Sequence, residues 1–351
     1  MKASELKELT KKYDNGELRT LVKELYKKIP KKIREEKDID QLITDLPGTL
    51  QARKTAKKAQ NTVTDFPAFK AEIEKFIDHA EQQDYFLYRP NRHIVKRERS
   101  KWRFIVKRYV KQIQTIPVND KNGREATELL KKLYELMCHA CEVYLFNTDD
   151  PFASIGINQT AFYELVVQRF FAQGITSESI VNAISLYLDN ENDVDTSKIW
   201  LEESLEENLK TPAMKEMAIQ QAQKLLTKNA HRTTQEWSEI SSEDAFTKYE
   251  QEAVNNELTE FIFLSKLYLS EYEEGIEFFK QNYQDSAAAK LDVLLDWLQS
   301  FELKHEWIVE YEKAIKKGIE PSDRSQNSYD VYKNEPNQGL DNIYQDEIKR
   351  F

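Results

Sequence analysis

Residues 213–274 read AMKEMAIQQAQKLLTKNAHRTTQEWSEISSEDAFTKYEQEAVNNELTEFIFLSKLYLSEYEE, with neither Gly nor Pro. A β-rich chain needs a turn about every 8–12 residues, and turn chemistry leans on Gly, Pro, Asn and Asp. So long a run without the two strongest breakers predicts helix. Thr211-Pro212 just before it is a good start signal, because Pro at the first helical position loses an N–H that would be unpaired anyway.

The rest of the chain reads the same way. Only eight Gly and nine Pro occur in 351 residues, and apolar residues recur at helical spacing. Leu18, Leu21, Val22, Leu25 and Ile29 predict the inner face of a helix over 17–29. Phe69, Ile73, Phe76 and Ile77 predict that of a helix over 67–82, capped by Asp65. Further helices are expected over 31–44, 49–61, 91–116, 125–146, 158–174, 176–188 and 196–209, then one after another from Ser242 to Gly318. The expected fold class is therefore all-α, with stacked antiparallel helical hairpins in a solenoid-like arrangement. A shift of 32 residues lays Ile276 on Ile308, Phe279 on Tyr311 and Ile262 on Leu294. This resembles a tetratricopeptide- or HEAT-type stack, without the Gly, Ala and Pro positions of the tetratricopeptide motif. The organisation expected is a basic helical part over 1–117 that ends in the long helix 91–116, an acidic helical body over 118–318, and a polar tail over 319–351.

Hydrophobic residues make up 40% of the chain and aromatic residues 11%, enough for a sizeable core and unlike a disordered composition. Met1 to Lys12 has no apolar segment of the secretory type, and no apolar run approaches the ~18 residues of a membrane span. With only Cys138 and Cys141, no disulfide framework can form. A cytoplasmic protein without membrane contact is expected.

The net charge of −10 hides an asymmetry. Residues 1–117 carry 28 Lys and Arg against 17 Asp and Glu, so the excess of acid lies entirely in the remainder. Between Arg89 and Lys111 stand ten basic residues and one acid, Glu98. On a helical wheel Val95, Trp102, Val106, Tyr109, Ile113 and Ile116 share one face. Lys96, Arg97, Lys101, Arg103, Lys107, Arg108 and Lys111 share the other, with Phe104 and His93 in its middle. Such a strip suits phosphates, and an aromatic among them suits a base. The bland expectation is that it pairs with the chain's own acidic part and that Phe104 is packed away. An acidic protein is the third candidate partner.

The other motifs read more plainly. Cys138-His139-Ala140-Cys141 has the spacing of half a zinc site, but no second CxxC or HxxxH pair exists, and His79, His93, His231 and His305 are scattered. Core packing is the expectation for Cys138 and Cys141, with zinc binding and redox chemistry the alternatives. Asp189 to Asp195 resembles a calcium loop, but Val194 stands where Gly is needed and Trp200 where the bidentate Glu belongs. A solvated acidic loop is expected there. Asp149 and Asp150 before Pro151, in a loop expected over 147–157, read as the end of a helix and the start of a turn, and Glu202, Glu203, Glu206 and Glu207 as a solvated face. No GxSxG elbow, GxxxxGK(S/T) loop or GxGxxG turn occurs. No cofactor, and in particular no nucleotide cofactor, is expected. The functional expectation is a non-enzymatic helical interaction or scaffold protein that engages a protein or nucleic-acid partner. The alternative is a nucleic-acid-processing or metal-dependent enzyme whose site is assembled from distant residues.

Overall fold

In the computed structural model, which describes residues 3–51, 63–236 and 242–334, helices are the regular elements and no strand occurs among the described residues. The chain divides into two units, Met1–Thr64 and Asp65–Phe351.

The first unit holds α1 (Ala3–Thr10), α2 (Asn15–Lys28), α3 (Lys31–Glu36) and α4 (Ile39–Thr44). Asp14 caps α2 by accepting from Gly16 and Glu17 N–H groups, while the Glu17 carboxylate accepts from the Asp14 N–H, a reciprocal capping box. The apolar stripe predicted on α2 is present as spacing but not as burial: no α2 residue is buried, and Val22 and Leu25 are exposed. The stretch over 31–44 forms two short helices, parted at Asp38, which adopts a left-handed conformation. Residues 52–62, most of the helix expected over 49–61, lie outside the described residues.

The second unit runs through α5 (Phe66–Glu81), α6 (Lys96–Arg99), α7 (Trp102–Thr115), α8 (Gly123–Glu142), α9 (Pro151–Ile155), α10 (Gln159–Gln173), α11 (Ser177–Leu188) and α12 (Lys198–Asn208). It continues through α13 (Pro212–Glu236), α14 (Ser242–Tyr268), α15 (Tyr272–Asn282), α16 (Ala287–Ser300), α17 (Lys304–Lys316) and α18 (Asp323–Asn334). Chain neighbours pack on one another, as α13 on α14, α14 on α15 and α16 on α17, and α5 packs on α8 as α10 does on α12. The boundary expected at residue 117 falls inside this unit, because α7 packs directly on α8. Part of the expected polar tail forms α18, whose Tyr332 is buried edge-on against Trp307. Residues 335–351 lie outside the described residues.

The turn between α7 and α8 depends on Gly123. A Cβ there would sit 1.9 Å from the Val118 carbonyl oxygen and 2.8 Å from that of Pro117, backbone atoms that cannot move aside cheaply. Gly123→Ala is expected to cost about 1–3 kcal/mol, the usual range for overpacking. Chemical denaturation would check this, and a change under about 0.5 kcal/mol, typical of an unconstrained surface site, would contradict it.

The long helix expected over 91–116 is interrupted. Asn91 Oδ1 accepts the His93 and Ile94 N–H groups, a local turn that competes with helix. The α6 turn ends at Arg99, and α7 begins at Trp102. The predicted inner face of α7 is otherwise correct. Trp102, Val106, Tyr109, Ile113 and Ile116 are buried, whereas Val95, outside the helix, is exposed.

Candidate functional site

The basic strip lies on the side of α6 and α7 that faces away from this core. Lys96, Arg97, Lys101, Arg103, Arg108 and Lys111 are exposed and Lys107 is half-buried. Phe104 is 62% exposed, which overturns the expectation that it packs against a neighbouring helix. The Arg103 guanidinium lies over its ring at 5.1 Å, an arrangement of cation and π-face that leaves the ring's other side to solvent.

The strip's acid partners are local. Lys101 pairs with Glu98 at 2.7 Å, Arg97 approaches the same carboxylate at 3.6 Å, and Arg108 pairs with Glu72 of α5. Both acids belong to residues 1–117, so the expected pairing with the acidic remainder is not what neutralises them. Lys96, Arg103, Lys107 and Lys111 make no ion pair among the described residues. Exposed pairs are worth about 0–1 kcal/mol each, so even Lys101 and Arg108 remain available to a stronger anion.

A clamp holds the loop that leads into the strip. Arg99 is buried, and its guanidinium donates to the carbonyls of Ile94, Phe86, Leu87 and Arg89. The planar fork of arginine matches several carbonyls at once, and here it gathers the loop over 86–94 about one side chain. The loop sits beside α5: Tyr85 packs on Phe76, and the Leu87 N–H donates to Asn147.

At the root of this loop the structure brings together two histidines that sequence spacing leaves apart. His79 near the end of α5, Asp84 and His93 each offer one ligand atom within 4.8 Å of the others. His79 Nδ1 and Asp84 Oδ2 are 2.8 Å apart, and the two imidazoles lie 5.5 Å apart between centroids. Asp84 is buried, His79 half-buried and His93 exposed. Gln83, in a left-handed conformation, reverses the chain so that the Asp84 N–H donates back to the His79 carbonyl.

The cysteines sit elsewhere. Cys138 is fully buried on α8 beside Tyr134 and accepts from Gln159 at 3.4 Å. Burial pushes its thiol up well beyond the ordinary range. Burial, with Asp193, Asp150 and Glu191 adding to it, pushes the Cys141 thiol up to about 12. Thiols so shifted are poor nucleophiles and reluctant metal ligands. Neither cysteine belongs to a metal-competent cluster among the described residues. Asp150 caps α9 through the Ala153 N–H, so the loop expected over 147–157 holds a short helix that Asp150 starts.

Two acidic stretches differ from expectation. The Asp189–Asp195 loop is latched rather than free: Gln159 donates to the Glu191 carbonyl and accepts the Asp193 N–H, and Asp193 is buried. Of the four glutamates read as a solvated face, Glu203 and Glu207 are exposed, but Glu202 and Glu206 are buried. They meet α14, where Ser265 donates to Glu206 and Lys198 bridges from α12 to Glu257. Lys215 of α13 pairs with Glu206, and Trp297 donates to Glu260. Burial first, then the charges of Glu260, Glu206, Glu257 and Glu203, hold the Glu202 carboxyl well above the usual range. Among the described residues its Oε1 has no hydrogen-bond partner, and neither has the buried Tyr187 hydroxyl.

No helix among the described residues is long and apolar enough to cross a membrane. Comparison with protein-family models, with curated proteins and with solved structures finds no match to this chain.

Proposed function

We propose that this is a non-enzymatic, cytoplasmic helical interaction protein whose basic face binds single-stranded nucleic acid. The observation that carries the reading is Phe104, exposed on α7 with Arg103 over one face, on a strip whose Lys96, Lys107 and Lys111 make no ion pair among the described residues. Lys96, Arg103, Lys107 and Lys111 neutralise phosphates, and the free face of Phe104 stacks on a base, which every nucleotide can offer. The rest of the chain then serves as a scaffold of stacked helical hairpins. In support, α15 and α17 begin 32 residues apart, at Tyr272 and Lys304, and α14 and α16 end 32 apart, at Tyr268 and Ser300.

The test is binding of labelled single- and double-stranded RNA and DNA across a salt titration. Wild type is expected to lose affinity steeply with salt. Replacing Lys96, Arg103, Lys107 and Lys111 together by Glu is expected to abolish binding. Phe104→Ala is expected to weaken single strands by about 1–3 kcal/mol and to spare duplexes. Absence of binding at low salt sinks the nucleic-acid reading and leaves an acidic protein as the partner. The enzyme reading has one observation in its favour, the convergence of Glu202, Glu206, Glu257 and Glu260. The burial of Glu202 and Glu206 counts against it.

A further inference from the structure

We propose that His79, Asp84 and His93 form a binding site for one divalent first-row transition ion, with zinc as the best match to the donor set. Two imidazoles and one carboxylate from a short stretch of chain are a recurrent zinc trio, with water completing the tetrahedron. Imidazole nitrogens disfavour magnesium and calcium, which take oxygen.

The trio is gathered by the backbone before any ion arrives. Gln83 turns the chain back at the end of α5, and the Asp84 N–H donates to the His79 carbonyl at 2.9 Å. Asn91 joins the other end: its Nδ2 donates to the Asp84 carbonyl at 2.8 Å, and its Oδ1 accepts the His93 N–H. The loop between is held by Arg99. His79 Nδ1 and Asp84 Oδ2 are in hydrogen-bond contact at 2.8 Å; two ligands at about 2.0–2.2 Å on a tetrahedral ion stand roughly 3.3–3.6 Å apart, so an ion replaces that contact with a movement of under about 1 Å. Asp84 supplies the one negative charge from a buried position, where it is least screened, and exposed His93 leaves the ion's remaining position open to water. Arg89, Arg92 and Lys96 in the same stretch of chain oppose a cation, but they are exposed and their charge is screened by solvent.

An ion here fixes the loop that carries Tyr88, Arg89 and Arg92 to the end of α5. The inference does not rest on nucleic-acid binding, and its test needs no nucleic acid. The untagged full-length protein is titrated with Zn²⁺ by calorimetry and with Co²⁺ by visible absorption. Wild type is expected to take up one equivalent, with a Co²⁺ spectrum free of thiolate charge transfer. His93→Ala removes an exposed side chain, so the helical signal in circular dichroism stays unchanged. Affinity is expected to fall at least about 100-fold, beyond what loss of an outer-sphere partner costs. Asp84→Asn is expected to weaken binding as well, and Cys141→Ser to leave it intact. No uptake by wild type, uptake unchanged in His93→Ala, or uptake lost in Cys141→Ser each overturns the site.

Discussion

Arg169→Met is expected to lower the stability of the fold by about 3 kcal/mol, because it removes the charge-assisted hydrogen bonds that reach the carbonyls of Ile113, Ile116 and Gly123 and the Thr127 hydroxyl. Arg169 stands on α10 and is 9% exposed. Its Nη1 donates to the carbonyls of Ile113 and Ile116, at the C-terminal end of α7. Its Nε donates to Thr127 Oγ1, and its Nη2 reaches the Gly123 carbonyl in the first turn of α8. One guanidinium thus ties three helices at the turn where Gly123 is already sterically required. Burial lowers its pKa, yet arginine keeps its proton in proteins. No carboxylate pairs with it among the described residues. The charge is offset instead by the negative end of the α7 dipole, where it bonds the Ile116 carbonyl and joins the Ile116 N–H on that of Ile113. Met fills a similar length but donates nothing. Gln173, which also donates to Thr127 and Gly123, limits the loss on the α8 side only. Arg169→Lys is expected to recover part of the loss, since an ammonium has donors but no planar fork. Urea denaturation with an unchanged slope would measure both, and an Arg169→Met change within about 0.5 kcal/mol would refute the role.

What was legible in the chain is what depends on near neighbours. Helix content follows from the scarcity of Gly and Pro, and the inner face of α7 follows from the spacing of Trp102, Val106, Tyr109 and Ile113. Both signals are local. The break before Trp102 is not, since it needs Arg99 to meet carbonyls 5 to 13 residues upstream. His79 and His93 look scattered because their meeting depends on a left-handed residue at Gln83, a conformation that Gln does not advertise. The exposure of Phe104 was also beyond reach. An aromatic among cations is compatible with either side of a helix until the packing of α7 on α5 and α8 is known. Glu202 and Glu206 depart furthest from the local pattern. Dense acids at helical spacing ordinarily mark a solvated face, but α12 is enclosed on more than one side. Leu201, Leu205 and Leu209 are buried on it as well. Only the presence of Ser265, Glu257 and Glu260 on α14 and Lys215 on α13 reveals that the acids face protein.

That enclosure carries a pH dependence of definite sign. The Glu202 carboxyl has an ordinary value of 4.5 in the unfolded chain and is held well above it in the fold. Below the ordinary value both states carry the proton, and the group adds no slope. Above it the unfolded chain ionises while the folded chain keeps its proton, so stability falls as pH rises and is lost through the folded pKa. The slope approaches about 1.4 kcal/mol per pH unit for one such group. The charges facing Glu202 reinforce it: Glu203 and Glu206 from its own helix, Glu257 and Glu260 from α14. Glu206, Glu257 and Glu260 are themselves raised by burial, partly opposed by Lys215 and Ser265, by Lys198 and by Trp297 respectively. Tyr163 and Tyr187, buried on α10 and α11, offer no compensating cation and feel the Glu202 charge. Denaturation midpoints measured from about pH 5 to 8 are therefore expected to fall with rising pH in the wild type. Glu202→Gln keeps the shape and removes the ionisation, so it is expected to flatten the profile and to be the more stable protein at the alkaline end. A parallel profile, displaced but equally steep, would place the titration on the other glutamates. Destabilisation by Glu202→Gln across the whole range would mean that the carboxylate, rather than the acid, is what the fold holds.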